Sequence, residues 1–337
     1  MRVFVAGATG AIGSRLVPLL VEAGHQVTGM TRSSKKAEQV RGAGATPAVA
    51  DALDREAVMR AVKAAAPEAI VHELTAIPDN LDIRHFDREF EITNRLRTEG
   101  LDNLIAAGRE VGCRRIVAQS YAAWAYAREG GPVKTEEDRV DPNPPAGIRR
   151  TSEAIRYLEQ TVTALSGMTG IALRYGAFYG PGNTLGAGGE MVEQVRKRRV
   201  PIIGGGTGVW SFIHIDDAAL ATLRALEAGQ SGVYNIVDDE PARVSEWLLA
   251  LAEAVGAKPP RRIPAWLGRL LIGEHGVIMM TEVRGASNAK AKRELGWQPL
   301  WTTWRDGFRK GLDDDAVMRS RFHEAARRGA SEPIKRS

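Results

Sequence analysis

Met1-Arg2-Val3-Phe4-Val5-Ala6-Gly7-Ala8-Thr9-Gly10-Ala11-Ile12-Gly13 decides the fold: an apolar run breaks into spaced glycines, and Leu16, Leu19 and Leu20 then follow at helical spacing. Glycines here permit a tight turn, let backbone N–H groups approach a pyrophosphate, and allow strand and helix to pack closely, while the helix N-terminus stabilises the anion. The stretch predicts a dinucleotide loop held by Gly7, Thr9, Gly10, Ala11, Ile12 and Gly13. Outward from it, short β-branched runs alternate with longer amphipathic segments: Gln26 to Met30, Arg55 to Ala65, Ala69 to His72. Further strand signals stand at Arg115 to Ala118, Gly170 to Arg174 and Gly232 to Val237. Such alternation predicts an α/β chain built on a doubly wound parallel sheet. Gly130 to Pro145, rich in proline and charge, reads as a surface loop. The Arg-rich stretch after Asp313 reads as a loosely packed tail.

The second strand ends Gly29-Met30-Thr31-Arg32-Ser33-Ser34-Lys35-Lys36. An NAD-binding unit places a carboxylate roughly 20 residues beyond the glycines, where it accepts the ribose hydroxyls. No carboxylate stands there, whereas Arg32, Ser33 and Lys35 can hold a 2′-phosphate, so NADP is favoured over NAD. A solvated basic turn would explain the same residues. Asp51, followed by Ala52, reads either as a neighbour of the adenine or as a helix cap.

Composition narrows the class. Of 337 residues, 44% are hydrophobic and 26% charged, which is enough apolar material to bury a core. The single cysteine, Cys113, excludes a disulfide framework, and the six histidines show no metal-ligand spacing, so no metal is expected. No run approaches the ~18 apolar residues of a membrane helix. The N-terminus lacks a signal peptide's apolar segment and cleavage site, and a cytoplasmic location is expected. A net charge of +5 comes without a basic recognition helix or a stacking platform, so nucleic acid is not the expected partner.

Several later blocks carry a resemblance. Ile70-Val71-His72, Asn94, Leu173-Arg174-Tyr175-Gly176-Ala177-Phe178-Tyr179-Gly180-Pro181-Gly182, Phe212-Ile213-His214-Ile215-Asp216-Asp217-Ala218, Tyr234-Asn235-Ile236 and Leu295-Gly296-Trp297-Gln298-Pro299 stand in one order with the glycine loop. Together they resemble the extended short-chain dehydrogenase/reductase family, the group that includes NAD-dependent epimerases and dehydratases. The resemblance implies a Rossmann-like domain over residues 1–174, rejoined by 232–237. It further implies a smaller mixed α/β substrate lobe over 175–312 and a polar tail over 313–337. By the same resemblance Thr75 and Ala76 line the nucleotide path, Asp51 lies near the adenine, and the segment from Tyr175 and Gly176 onward passes beside the nicotinamide. The His214-to-Asp217 block fixes the second lobe, and a homodimer is the expected assembly.

The departures bear on chemistry. The family uses a serine or threonine that orients a carbonyl, and a Tyr-x-x-x-Lys pair on one helical face. The lysine lowers the tyrosine's pKa so that the phenol can pass a proton while the nicotinamide passes a hydride. Here the helix reads Arg149-Arg150-Thr151-Ser152-Glu153-Ala154-Ile155-Arg156-Tyr157-Leu158-Glu159, and no lysine stands between Lys134 and Lys197. Anchored on Glu159, Thr151 takes the tyrosine's place and Ile155 the lysine's; anchored on Tyr126, Ala122 takes the serine's. Tyr121, Ser120, Thr151 and Ser152 are therefore the catalytic candidates, with packing an equal reading for Tyr121. Where sugar-nucleotide enzymes carry a diphosphate-clamping arginine, this chain has Trp210. With Trp124 and Tyr179 it suggests a cleft for an uncharged or aromatic small molecule, although Trp210 would serve equally as packing between lobes. Two functions follow: an NADP-dependent oxidoreductase or epimerase-like enzyme with an atypical active site, or a non-catalytic NADP-binding sensor or assembly protein.

Overall fold

The computed structural model describes residues 1–78, 81–122, 126–314 and 316–329. Strands β1 (Arg2–Ala6), β2 (Gln26–Thr31), β3 (Thr46–Val49), β4 (Ala69–His72), β5 (Arg115–Tyr121), β6 (Thr169–Tyr175) and β7 (Gly232–Ile236) form one seven-stranded sheet. Every pairing is parallel and the order is 3-2-1-4-5-6-7. Chain order reverses between β1 and β4, and in open sheets ligands bind at that switch point, beyond the carboxyl ends of the strands. Ala6 is in register with Met30 on one side and His72 on the other, so those ends lie level.

Alternate side chains of the central strands feed two cores. Val3, Val5, Val71, Val117, Ile171 and Leu173 pack with α1 (Gly13–Glu22) and, from far along the chain, α5 (Ile215–Ala228). Phe4, Ala6, Ile70, Ile116, Ala118 and Ala172 face the other way, toward α2 (Arg55–Ala65), α3 (Leu101–Glu110) and α4 (Arg149–Thr163). Strands covered on both faces read as continuous apolar runs, which is why β1 and β4 were legible. Pro47 sits in β3, the edge strand, where a missing N–H is tolerated. Asp54 caps α2 by accepting from the Ala57 N–H at 3.0 Å.

The second lobe pairs Val209–Trp210 with Ala242–Arg243 and Ile202–Ile203 with Arg262–Ile263, and adds α6 (Val244–Ala254) and α7 (Ala265–Thr281), kinked at Gly273. Because α5 packs on α1 and β7 pairs with β6, the chain between 213 and 237 belongs with the sheet rather than the lobe. Two expectations change. Within 130–145, Val133–Lys134 pairs with Gly285–Ala286 and the Lys134 side chain is buried, because it bridges to Asp138 at 3.2 Å. The expected tail forms α8 (Ala316–Gly329), whose Phe322 and Ala326 are buried at i, i+4 spacing. Among the described residues, no helix is long and apolar enough to cross a membrane.

Candidate active site

The glycine loop is built around missing side chains. A Cβ on Gly7 (φ +95°) would lie 2.5 Å from the Glu73 carbonyl oxygen, and one on Gly13 would lie 2.1 Å from that of Gly7. The Gly7 and Ala8 N–H groups donate to the Met30 carbonyl at 3.3 and 3.2 Å, which ties the loop to the end of β2. Half-buried Thr9 meets Thr31 at 3.3 Å through their hydroxyls, and the Ser33 N–H donates to the Thr31 hydroxyl at 3.3 Å. Arg32 and Lys35 are exposed beside half-buried Ser33. Gly10 and Ala11 are exposed and Ile12 is buried; the Ser14 N–H donates to the Gly10 carbonyl at 3.0 Å and the Arg15 and Leu16 N–H groups to the Ile12 carbonyl at 2.9 and 2.8 Å, so the first helical turn grows directly out of the glycine loop. This cradle fits a dinucleotide pyrophosphate, with the basic turn one strand away.

Asp51 is exposed and its Oδ1 accepts the Leu53 N–H at 3.0 Å, a local turn, while buried Ala52 accepts at its carbonyl from Asn103. Thr75 is exposed past β4, and the Ala76 N–H donates to Thr93. Tyr175 is corrected by its burial: it is 0% exposed, so its side chain cannot touch a cofactor. Its phenol meets Glu73 at 3.1 Å and Thr222 at 2.6 Å, supporting the glycine loop from beneath. Gly176 is closely covered, since a Cβ there would reach the Ser211 carbonyl oxygen at 2.7 Å.

The catalytic candidates separate. Ser120 is buried and donates to Glu159 at 2.6 Å; Glu159 grips Arg174 at 2.6 and 2.7 Å. Arg174 also donates to Tyr126, which donates to Asn235. This buried network joins β5, α4, β6 and β7, so the Ser120 hydroxyl is committed to holding the sheet and the catalytic expectation for it is corrected. Thr151, 0% exposed, donates its hydroxyl to Asp87 at 2.8 Å and accepts from Asn94 at 3.0 Å. Asp87 also accepts the Arg150 and Thr151 N–H groups at 3.0 and 2.9 Å, capping α4 from a distant segment. Ser152 is half-buried one residue on, and Ile155 is buried.

Tyr121, the last residue of β5, is the candidate left at the carboxyl edge. Burial pushes its phenol above the usual range, and the neighbouring Arg97 guanidinium pulls it back. Arg97 lies in a π turn, Leu96–Gly100, whose Leu96 carbonyl meets His72 Nε2 at 2.9 Å. Phe86 and Phe90 stack at 4.1 Å beside it, with His275 edge-on to Phe86 at 5.0 Å. Glu73, Asp87, Arg97 and His275 were not singled out by sequence reading. For Glu73 a signal existed, a charge set within an apolar stretch; Arg97, between Arg95 and Glu99, carried none. Asp87 carried none, because the Arg150 N–H it accepts lies 63 residues later.

Two substrate expectations are corrected. Tyr179 is 0% exposed, packed against His214 and Phe308 at 5.2 and 5.6 Å, inside the protein's own core. Trp210 donates to the Met279 carbonyl at 2.8 Å and packs on Trp247 at 5.0 Å, within the lobe. Trp124 lies outside the described residues. The His214 block is structural: Asp217 accepts the Leu300 and Trp301 N–H groups at 2.7 and 2.9 Å.

A family model, NAD dependent epimerase/dehydratase family, matches residues 3–237. The chain belongs to the NAD-dependent epimerase/dehydratase family. It is 43% identical to a 3-diazoavenalumate denitrifying reductase of a Streptomyces species, over 91% of this chain and 99% of that protein. It is 30% identical to a 2-alkyl-3-oxoalkanoate reductase of Stenotrophomonas maltophilia, over 76% of each. Among solved structures it resembles the UDP-glucose 4-epimerase of Thermus thermophilus in complex with NAD, with a TM-score of 0.69 and 26% identity, over 93% and 98% of the two chains. A human epimerase family protein with NADPH superposes with a TM-score of 0.70 at 21% identity, over 93% and 99%. This member of the family is an enzyme, and its cofactor class is a nicotinamide dinucleotide.

Proposed function

We propose that this enzyme uses NADPH to replace the diazo group of an aromatic compound with hydrogen, releasing N2. What supports the reading is α4: no lysine stands between Lys134 and Lys197, and, anchored on Glu159, Thr151 and Ile155 take the places that a carbonyl-reducing relative gives to a tyrosine and a lysine. Hydride addition to a carbonyl leaves an alkoxide, which requires a positioned proton donor. Hydride delivery to an aryl diazonium carbon leaves none. A C–H bond forms, the C–N bond breaks, and N2 departs with the C–N bonding pair. NADPH supplies the hydride. The chain's own work is then binding, orientation and exclusion of water, for which a helix lacking the acid–base pair suffices. The 43% identity to the denitrifying reductase supports the same chemistry.

NADPH is favoured over NADH by Arg32, Ser33 and Lys35, with no carboxylate at the end of β2 to take ribose hydroxyls. Bidentate arginine suits a phosphate. Replacing Arg32 and Lys35 together by Ala should weaken NADPH binding by about tenfold or more and leave NADH unchanged.

The test uses purified protein, an ortho-hydroxy aryl diazonium compound labelled with heavy nitrogen, and NADPH deuterated at the nicotinamide C4. Labelled N2 and deuterium at the former diazo carbon are expected. Turnover of 3-oxo acids without N2 release from the diazonium compound would overturn the reading in favour of carbonyl reduction.

A further inference from the structure

We propose that Arg97 is the seat for an oxyanion of the aromatic substrate, a carboxylate or phenolate oxygen, at the carboxyl edge of β4 and β5. The proposal rests on the reductase reading above. Arg97 is 5% exposed, and among the described residues it forms no ion pair with a carboxylate, its guanidinium resting instead over the Phe90 ring. Its one hydrogen bond there is long, 3.4 Å to Asn94 Oδ1. A guanidinium carries five N–H donors, and arginine is almost never buried unless paired. A buried cation that faces no carboxylate carries a desolvation cost that a bound anion can offset.

The acid at the end of its hydrogen-bond chain does not supply that anion. Arg97 donates to Asn94, Asn94 donates to Thr151, and Thr151 donates to Asp87. Asp87 spends its charge on the start of α4, with two backbone N–H groups and the Thr151 hydroxyl on its carboxylate. Burial lowers the Arg97 pKa to about 10, which leaves the group charged at neutral pH.

Placement points to substrate. The π turn is pinned to the end of β4 through His72, and Tyr121 ends β5 beside the guanidinium. Such turns within helices often mark functional sites. The guanidinium carbon lies over the Phe90 ring at 5.9 Å, and Phe90 stacks on Phe86 within a buried cluster, so the cation is braced on the protein's own rings while its remaining N–H donors are left for an anion.

The test is calorimetric titration of the enzyme–NADP+ complex with 4-hydroxy-3-nitrocinnamate, ionised at both oxygens at mildly alkaline pH, and with its methyl ester and methyl ether. The wild type should bind at least one blocked compound about tenfold or more weakly than the parent. The ester identifies the carboxylate as the ligand, the ether the phenolate. Arg97→Gln should abolish that discrimination and leave the NADPH Kd within about twofold, and Arg97→Lys, which keeps charge but not the planar fork, should keep part of it. Arg97→Met should unfold at or above the wild-type Tm, since it removes an unpaired buried charge. Equal affinity for parent, ester and ether in the wild type would overturn the proposal, as would a matching loss of NADPH affinity or a lowered Tm in Arg97→Met. If no diazonium compound turns over while the titration still discriminates, the reductase reading fails and the anion seat stands.

Discussion

At the residue scale Glu73 is the most constrained group in the nucleotide half. It follows β4 directly, its carbonyl lies where a Gly7 side chain would be, and it is 5% exposed. Burial raises its pKa from the ordinary 4.5 to about 8, against the opposing Tyr175 hydrogen bond. The Tyr175 hydroxyl donates to Glu73 at 3.1 Å and meets the Thr222 hydroxyl at 2.6 Å, and Thr222 donates to the Ala218 carbonyl at 2.8 Å. Between pH 4.5 and about 8 the unfolded chain has lost the Glu73 proton while the native protein keeps it. The native state then binds more protons, so stability falls as pH rises through that window and levels above it. Glu73→Gln keeps a neutral oxygen to accept the Tyr175 hydroxyl and removes the group's titration. Its Tm against pH should therefore decline less than that of the wild type between pH 5 and 8.5. Asp217, raised by burial to about 7, leaves a slope of the same sign in both proteins, so the difference between the curves is the readout. Parallel curves would show that Glu73 does not titrate in this range.

Among the elements, α4 departs furthest from what its own sequence announces. Ile148 precedes it without a side-chain cap, and Asp87 supplies the anion that a helix N-terminus favours. Asp87→Ala removes three hydrogen bonds at once and should cost about 2 kcal/mol, read from chemical unfolding. The same geometry commits the Thr151 proton to Asp87, so Thr151→Ala should keep most of the denitrifying turnover. A loss of about 100-fold or more would instead make Thr151 the proton donor. Local patterns made the strands and the glycine loop legible in sequence, because a strand buried on both faces and a glycine turn each write their geometry into adjacent residues. The Asp87 cap, the Ser120–Glu159–Arg174 network and the Arg97 seat are relations between segments far apart in sequence, and no local pattern records them. Aromatic content misled in the second lobe: Tyr179 and Trp210 look like pocket lining in sequence, yet both fill the core that positions the lobe.

For the whole molecule, the question is how the two ends of the chain share one cofactor half. The C-terminal residues looked like a polar tail because arginines dominate them, but α8 hides an apolar edge: Phe322 is 2% exposed and stacks on His214 at 6.1 Å. His214 in turn caps α5 by accepting the Asp216 N–H, and its Nε2 meets the Gly311 carbonyl at 3.1 Å. Polar contacts reach the other way, to the helix that opens at the glycine loop: Arg15 to Asp314 at 3.1 Å and Glu22 to His323 at 2.6 Å. The C-terminal segment therefore clamps α1 and α5 together beneath the dinucleotide site. Deleting residues 315–337 exposes the Phe322 seat, and loss of that burial alone is worth about 2 kcal/mol. The truncated chain should unfold several degrees below the full-length protein. It should also bind NADPH more weakly, because α1 opens at the glycine loop proposed to hold the pyrophosphate. Thermal unfolding and NADPH fluorescence titration read the two effects separately. A lowered Tm with unchanged NADPH affinity would confine α8 to stability, while loss of both, restored by a fully saturating cofactor concentration, would show that the C-terminal helix sets the position of the nucleotide loop.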